Sequence, residues 1–209
     1  MKVLAAIMGG LLCTTGLLVA PTTRAQQGPP MSTKPATITS TLDLQLTIEE
    51  REIEGAADAM PEDKYSFAPT NGEFKGVRTF AQEVKHIATV NDRFFDAILG
   101  QAANSGSQFE AENGPDSIQT KAQIMQYLKD SFALGHKAIA TINAENAFVA
   151  MEKPATPFLR TPAATVIFAC THAMDHYGQM VEYLRDNGIV PPASRQRPPA
   201  NPAGQSGQK

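Results

Sequence analysis

Apolar periodicity constrains this chain more than any other feature. Four long stretches repeat apolar residues every three or four positions, and none sustains a strand ladder. In the first stretch, Leu42, Leu44, Leu46 and Ile48 alternate as a strand would. However, Leu42, Leu46, Ile53, Ala56, Ala57 and Met60 fall on one helical stripe, and Pro61 ends the run, so the segment reads as a helix with a soft beginning. The second stretch covers 79–99 and stops at Gly100, with Val84, Ile87, Val90, Phe94 and Ile98 on its apolar side. The third covers 117–143, with Ile124, Tyr127, Leu128, Ile139 and Ile142 inward. The fourth covers 162–187, opened by Pro162 and closed by Gly188. Four amphipathic helices and nothing else predict an all-α four-helix bundle with long connecting loops. Segments 61–78, 101–116 and 144–161 exceed plain bundle turns, and loops of that length often roof a site at a bundle's end.

Both ends differ from this middle. Met1-Lys2 is a short basic start, residues 3–20 are almost wholly apolar, and Thr23-Arg24-Ala25 has a small-x-small pattern. That order describes a secretory leader over 1–25, cut after Ala25, and places the protein in the periplasm or outside the cell. The alternative is an uncleaved anchor, since the apolar run is about long enough to span a bilayer. In either case the membrane is met only through this segment. Leu12 before Cys13 argues against lipid attachment. Residues 26–40 read as a flexible tether and 191–209, with five prolines, as a disordered tail, leaving a folded domain over 41–190. Without the leader the chain has 16 basic and 21 acidic residues, a net charge of −5. Nucleic acid calls for clustered Lys and Arg and is not an expected partner. One cysteine, Cys170, then remains, so the core is expected to hold by packing without an internal disulfide. The pattern leaves a monomer or a homodimer open.

There are four histidines. His172 and His176 are four positions apart, about 40° and roughly 6 Å along a helix, so both rings leave one face. Phe168, Ala169, Met180 and Tyr183 share that stripe, so the pair faces the bundle interior. Such a pair can ligate one ion at about 2.0–2.1 Å, or it can be a hydrogen-bonded core pair. His86 lies on the second helix, on the stripe of Val90, Phe94 and Ala97, and also points inward. His136 lies roughly 100° from the centre of the third helix's apolar stripe and reads as a boundary residue.

Several short motifs keep a particular order. They are Met60-Pro61-Glu62-Asp63-Lys64-Tyr65-Ser66-Phe67, Val77-Arg78-Thr79-Phe80 leading to His86-Ile87, and His172-Ala173-Met174-Asp175-His176-Tyr177-Gly178-Gln179-Met180. Tyr183-Leu184-Arg185 and Asn187-Gly188-Ile189-Val190-Pro191-Pro192 follow. Together they resemble the DinB-like (DinB/YfiT) superfamily from about Leu46 to Pro192. The resemblance implies a four-helix bundle in which one histidine of the second helix and an H-x-x-x-H pair of the last bind a divalent ion. Those positions are His86, His172 and His176 here. Where many relatives carry a further histidine before the last ligand, this chain has Asp175, which reads either as an acceptor orienting a ligand ring or as a solvated helix residue.

Glu49 falls on the apolar stripe of the first helix, either as a carboxylate serving the metal pocket or, with that turn frayed or rotated, as a solvated group. Gln179 and Tyr183 read as structural polar and core groups that could also line a pocket. Gly178 costs about 1 kcal/mol in a helix relative to alanine, so it is expected to allow a close helix contact or room beside the pocket. Cys170 lies roughly 160° from His172 and reads as a small packed residue rather than a ligand.

Three imidazoles without a fourth protein ligand form a catalytic rather than a closed structural set. Zinc is the expected metal; nickel, iron and manganese also suit imidazole. The resemblance implies relatives that activate a low-molecular-weight thiol, and hydrolysis uses the same metal chemistry. The expectation is therefore an exported metal-dependent hydrolase or thiol-dependent transferase. The alternatives are a non-catalytic metal-binding or stress-related envelope protein, and an ion that only locks two helices together.

Overall fold

In the computed structural model, the described residues are 35–101 and 112–195. The leader, most of the tether and the tail beyond 195 lie outside them. Four helices carry the fold: α1 Ile38–Ala59, α2 Phe80–Ile98, α3 Lys121–Ile139 and α4 Pro162–Asp186. No strand occurs among the described residues, and no helix there is long and apolar enough to cross a membrane.

The helical stripe of α1 wins over the strand-like alternation. Leu42 and Leu46 are buried, whereas Leu44 and Ile48 are exposed. Ile53, Ala56, Ala57 and Met60 continue the buried face. The start is not soft. Thr37 and Ser40 form a reciprocal capping box, each side chain bonding the other's backbone N–H. The folded unit therefore begins inside the segment expected to be a tether. At the other end Pro191 is buried and a short turn over Pro192–Ser194 packs near Gly55 of α1, so the tail's first residues belong to the fold.

The same box recurs at Thr79 with Gln82 for α2 and at Thr120 with Gln123 for α3. Capped by Thr120, α3 begins at Lys121, later than expected. That helix also ends earlier, at Ile139, because the chain tightens into turns: Thr141 donates to the Ala138 carbonyl and Ile142 to the Ile139 carbonyl. Ile142 is still buried, which is why it shares the apolar pattern. Thr161 caps α4 ahead of Pro162, and Gly188, at a φ of 73°, takes the left-handed conformation that ends it.

Neighbouring helices pack in the order α1, α3, α2, α4 around the bundle. The successive pairs α1, α2 and α3, α4 thus sit diagonally, and their connections must cross the bundle's end rather than turn tightly. This accounts for the length of 61–79 and 140–161. The first crossing is held by what it does for α2. Phe67 and Tyr65 carbonyls accept from the Phe80 and Ala81 N–H groups, 2.8 Å each, filling the unpaired donors of the first turn. Tyr65 is itself buried against Phe80, edge to face at 5.3 Å, with its hydroxyl donating to the Ala57 carbonyl. α2 is buried on most sides, which makes it the central helix and brings its polar Glu83, His86, Asn91 and Asp96 inside.

Candidate metal centre

The two histidines of α4 and the one of α2 meet. His172 Nε2 lies 3.2 Å from His86 Nε2 and 3.2 Å from His176 Nε2. The ring centroids are 4.5 to 5.1 Å apart. His86 and His176 are buried and His172 is half-buried. These three are the His, Cys, Asp and Glu residues, among those described, whose ligating atoms come close enough together to hold an ion.

The outer nitrogens decide what the inner ones can do. His86 Nδ1 donates to the Glu112 main-chain carbonyl at 2.7 Å. A carbonyl only accepts, so the proton sits on Nδ1 and the neutral ring turns a lone pair inward at Nε2. His176 Nδ1 faces the Glu83 carboxylate at 2.6 Å, and its neutral form likewise presents Nε2. Burial, then the Arg78 guanidinium, push His86 down to about 3. Burial, then the neighbouring His176, push His172 down to about 4, with Arg78 and Arg93 adding to the effect and Asp175 opposing it. Both rings are therefore neutral at neutral pH. Two lone pairs then converge beside one further Nε2, which as a single donor cannot serve both well. A cation satisfies all three at once. An ion held tetrahedrally at zinc–nitrogen distances needs ligand atoms roughly 3.3 Å apart, close to the separations found. The residues present fit a divalent ion.

Glu83 is the residue that sequence reading missed. It is 1% exposed and stands behind His176, the arrangement that fixes a ligand ring's tautomer and orientation. Its position three residues before His86 puts both on one face of α2, a signal that was available. Asp175, the acid considered for an orienting role, is exposed and, among the described residues, accepts from Gln179 at 3.4 Å rather than from a histidine ring, as a solvated helix residue would.

Other candidates separate from the site. Glu49 is not solvated: it is 1% exposed, with Oε1 accepting from Gln45 at 2.6 Å. Nor does it reach the histidines; it faces Cys170 on the far side of α4, because the α1 stripe packs there. Cys170 is buried, as expected. His136 pairs with Asp43 at 2.6 Å and Glu50 at 3.2 Å on α1, a boundary position away from the triad. Burial alone would lower its pKa, but the two carboxylates raise it. A side chain at Gly178 would meet open space, so no close helix contact explains that glycine. Gln179 stands on the Nδ1 side of His176, 3.5 Å from it, and Tyr183 donates to the Arg78 carbonyl at 3.0 Å.

On its open side the triad adjoins a cavity of about 330 Å³. All three long connections contribute to it: Arg78 from the first, Glu112 from the second, Thr156 and Phe158 from the third. Phe94 and Phe168 meet edge to face at 5.6 Å, and Phe168 stacks on the His172 ring.

The DinB superfamily pattern matches residues 45–180, which takes in α2, α3 and most of α1 and α4. This chain belongs to the DinB superfamily. Among solved structures, it is similar to a conserved protein from Enterococcus faecalis, with a TM-score of 0.57 and 16% identity over 72% of this chain and 97% of that one. At that identity the likeness shows the fold. No curated protein matches this DinB-superfamily chain. Family and histidine cluster together fit a metal-binding protein.

Proposed function

We propose that this DinB-superfamily protein is a divalent-metal-dependent enzyme of the hydrolase or thiol-transferase type, with His86, His172 and His176 as the metal ligands. The observation that carries the reading is the convergence of three histidines, with His172 Nε2 at 3.2 Å from Nε2 of each of the other two, beside an accessible cavity. A purely structural ion that locks α2 to α4 needs no such cavity. Zinc suits the spacing, and nickel, iron or manganese suit the imidazoles. Such an ion supplies Lewis acidity, which lowers the pKa of a water or thiol brought to it.

The chain's own residues do the rest. The Glu112 carbonyl and the Glu83 carboxylate hold the His86 and His176 rings with Nε2 inward. Phe94 and Phe168, packed edge to face, give the cavity an apolar surface beside the His172 ring. Export through the 1–25 leader belongs to the same proposal and rests on its basic start, apolar run and Ala25 cleavage pattern. The amino-terminal sequence of the protein recovered from cell fractions tests it: a chain starting at Gln26 outside the cytoplasm is expected, and an intact Met1 in the cytoplasm refutes it.

The main test begins with untagged protein offered Zn²⁺, Ni²⁺, Fe²⁺ and Mn²⁺. One ion per chain is expected by mass spectrometry, followed by metal-dependent turnover in a panel of ester, amide and thiol-transfer substrates. A protein that takes up none of the four metals overturns the proposal. Uptake without turnover on any substrate would instead favour a non-catalytic metal-binding protein of the envelope.

A further inference from the structure

We infer that the molecule recognised at this site is a small anion with an apolar body, its carboxylate or phosphate held between Arg78 and Arg93 where the Glu112 carboxylate now lies. The inference rests on the proposed metal site and names the class of substrate it takes.

Both guanidiniums line the same cavity as the three histidines. Each faces the Glu112 carboxylate, Arg78 at 3.9 Å and Arg93 at 3.6 Å. A charge-assisted hydrogen bond from guanidinium to carboxylate is typically about 2.7–2.9 Å, so Glu112 screens the two charges without engaging either fork. Arg78 uses its Nε on the Asn113 amide oxygen at 2.8 Å, which leaves its terminal nitrogens on the cavity side. Arg93 lies over the Phe94 ring at 5.1 Å, and its Nε is buried with no partner among the described residues. A buried donor without a partner is costly, and here it belongs to a cation beside a pocket. Bidentate arginine geometry matches a planar carboxylate or a phosphate.

The charge balance has the same sign. Two guanidiniums and a divalent ion face two carboxylates, Glu83 and Glu112, and Glu83 is committed to His176. The cavity is left positive, which disfavours a cationic substrate and gives a neutral one, whose uncharged acceptors bind a guanidinium more weakly, less to gain from the arginines than an anion. The rest of the lining includes apolar residues: Val90, Phe94, Phe158 and Phe168. Glu112 is built to yield. Its main-chain carbonyl holds the His86 ring, while its side chain alone reaches the arginines, so the carboxylate can swing aside without releasing the ligand.

The test is calorimetric titration of the full chain, zinc-loaded, with benzoate and phenyl phosphate as anionic probes and benzamide as the uncharged control. Wild type, Arg78→Gln, Arg93→Gln and Glu112→Gln are compared, with metal content and circular dichroism recorded for each. The expected result is at least tenfold tighter binding of one anion than of benzamide, weakened about tenfold by each arginine variant at unchanged metal content. Glu112→Gln should tighten the same anion severalfold, an effect that a merely structural Glu112 would not produce. Which of the two anions binds tighter assigns the group as carboxylate or phosphate. Equal affinity for anion and benzamide, or arginine variants that bind anion as wild type does, overturns the inference. If an arginine variant does not fold, the Glu112→Gln result decides: no tightening overturns the inference. If wild type holds no metal, the metal reading fails by itself, and the same titrations on the metal-free protein decide the arginine pair by the same criteria.

Discussion

Replacing Glu83 with glutamine isolates one atom-level claim, that a buried carboxylate sets the His176 ring for metal. Glu83 is too far behind the ring to be a ligand and acts only through Nδ1, which it meets at 2.6 Å. Glutamine keeps the size and one acceptor oxygen but removes the charge. Loss of such an outer partner typically costs about 10–100-fold in metal affinity, equivalent to about 1.4–2.7 kcal/mol. The structure argues for the upper part of that range. The contact is short, and Glu83 and His176 are 1% and 6% exposed, so water neither screens the bond nor replaces it. Glu83→Ala should cost more, because Nδ1 is then left without any acceptor. The assay is competition for zinc against a chelating indicator at neutral pH, with the melting temperature of each metal-free variant as a folding check. If both variants fold and hold zinc within threefold of wild type, the reasoning about Glu83 is refuted.

Other expectations follow from the same coordinates. His172→Ala removes the nitrogen lying 3.2 Å from both its neighbours and should abolish stoichiometric metal uptake, whereas His136→Ala, paired with Asp43 and Glu50, should leave uptake unchanged; metal analysis after dialysis compares them. Burial holds the Glu49 pKa above its ordinary value, so this group contributes stability that is full below about pH 4.5 and is lost as pH rises through its raised folded value. Its Oε2 is buried without a partner among the described residues. Glu49→Gln should therefore be the more stable protein at neutral pH, by about 1 kcal/mol, and should flatten the rise of stability on acidification; urea midpoints at several pH values measure both, and identical profiles count against the argument. Gly135→Ala places a Cβ 2.6 Å from Phe95 and 2.8 Å from Leu46, so overpacking should destabilise by about 1–3 kcal/mol, outweighing a helix-propensity gain of about 1 kcal/mol. A raised denaturation midpoint would contradict it.

Local sequence determined the elements of this protein and the shared direction of one histidine pair. The four stripes specify four helices because burial of one face repeats with the helical turn, and Leu44 and Ile48 are exposed because α1 obeys that period. His172 and His176 face one direction because i and i+4 always do on a helix. Ends were less legible. The threonine–glutamine and threonine–serine boxes are side-chain choices that moved the start of α1 into the expected tether and the start of α3 to Lys121. Everything that turns a histidine pair into a site came from tertiary structure. His86 is 86 residues from His172, and its inward face shows only that a meeting is possible; the packing of α2 beside α4 brings the nitrogens to 3.2 Å. Glu49 and Glu83 are both acids on helical stripes, and one-dimensional periodicity cannot tell them apart. Packing can: the Glu83 carboxylate is matched by Nδ1 of the His176 ring, whereas Glu49 meets Cys170 and loses its solvent with Oε2 left unpaired among the described residues. Hydrophobic period is set by bonds along the chain, but the partner that makes a buried charge tolerable lies across the bundle, where only the fold decides it.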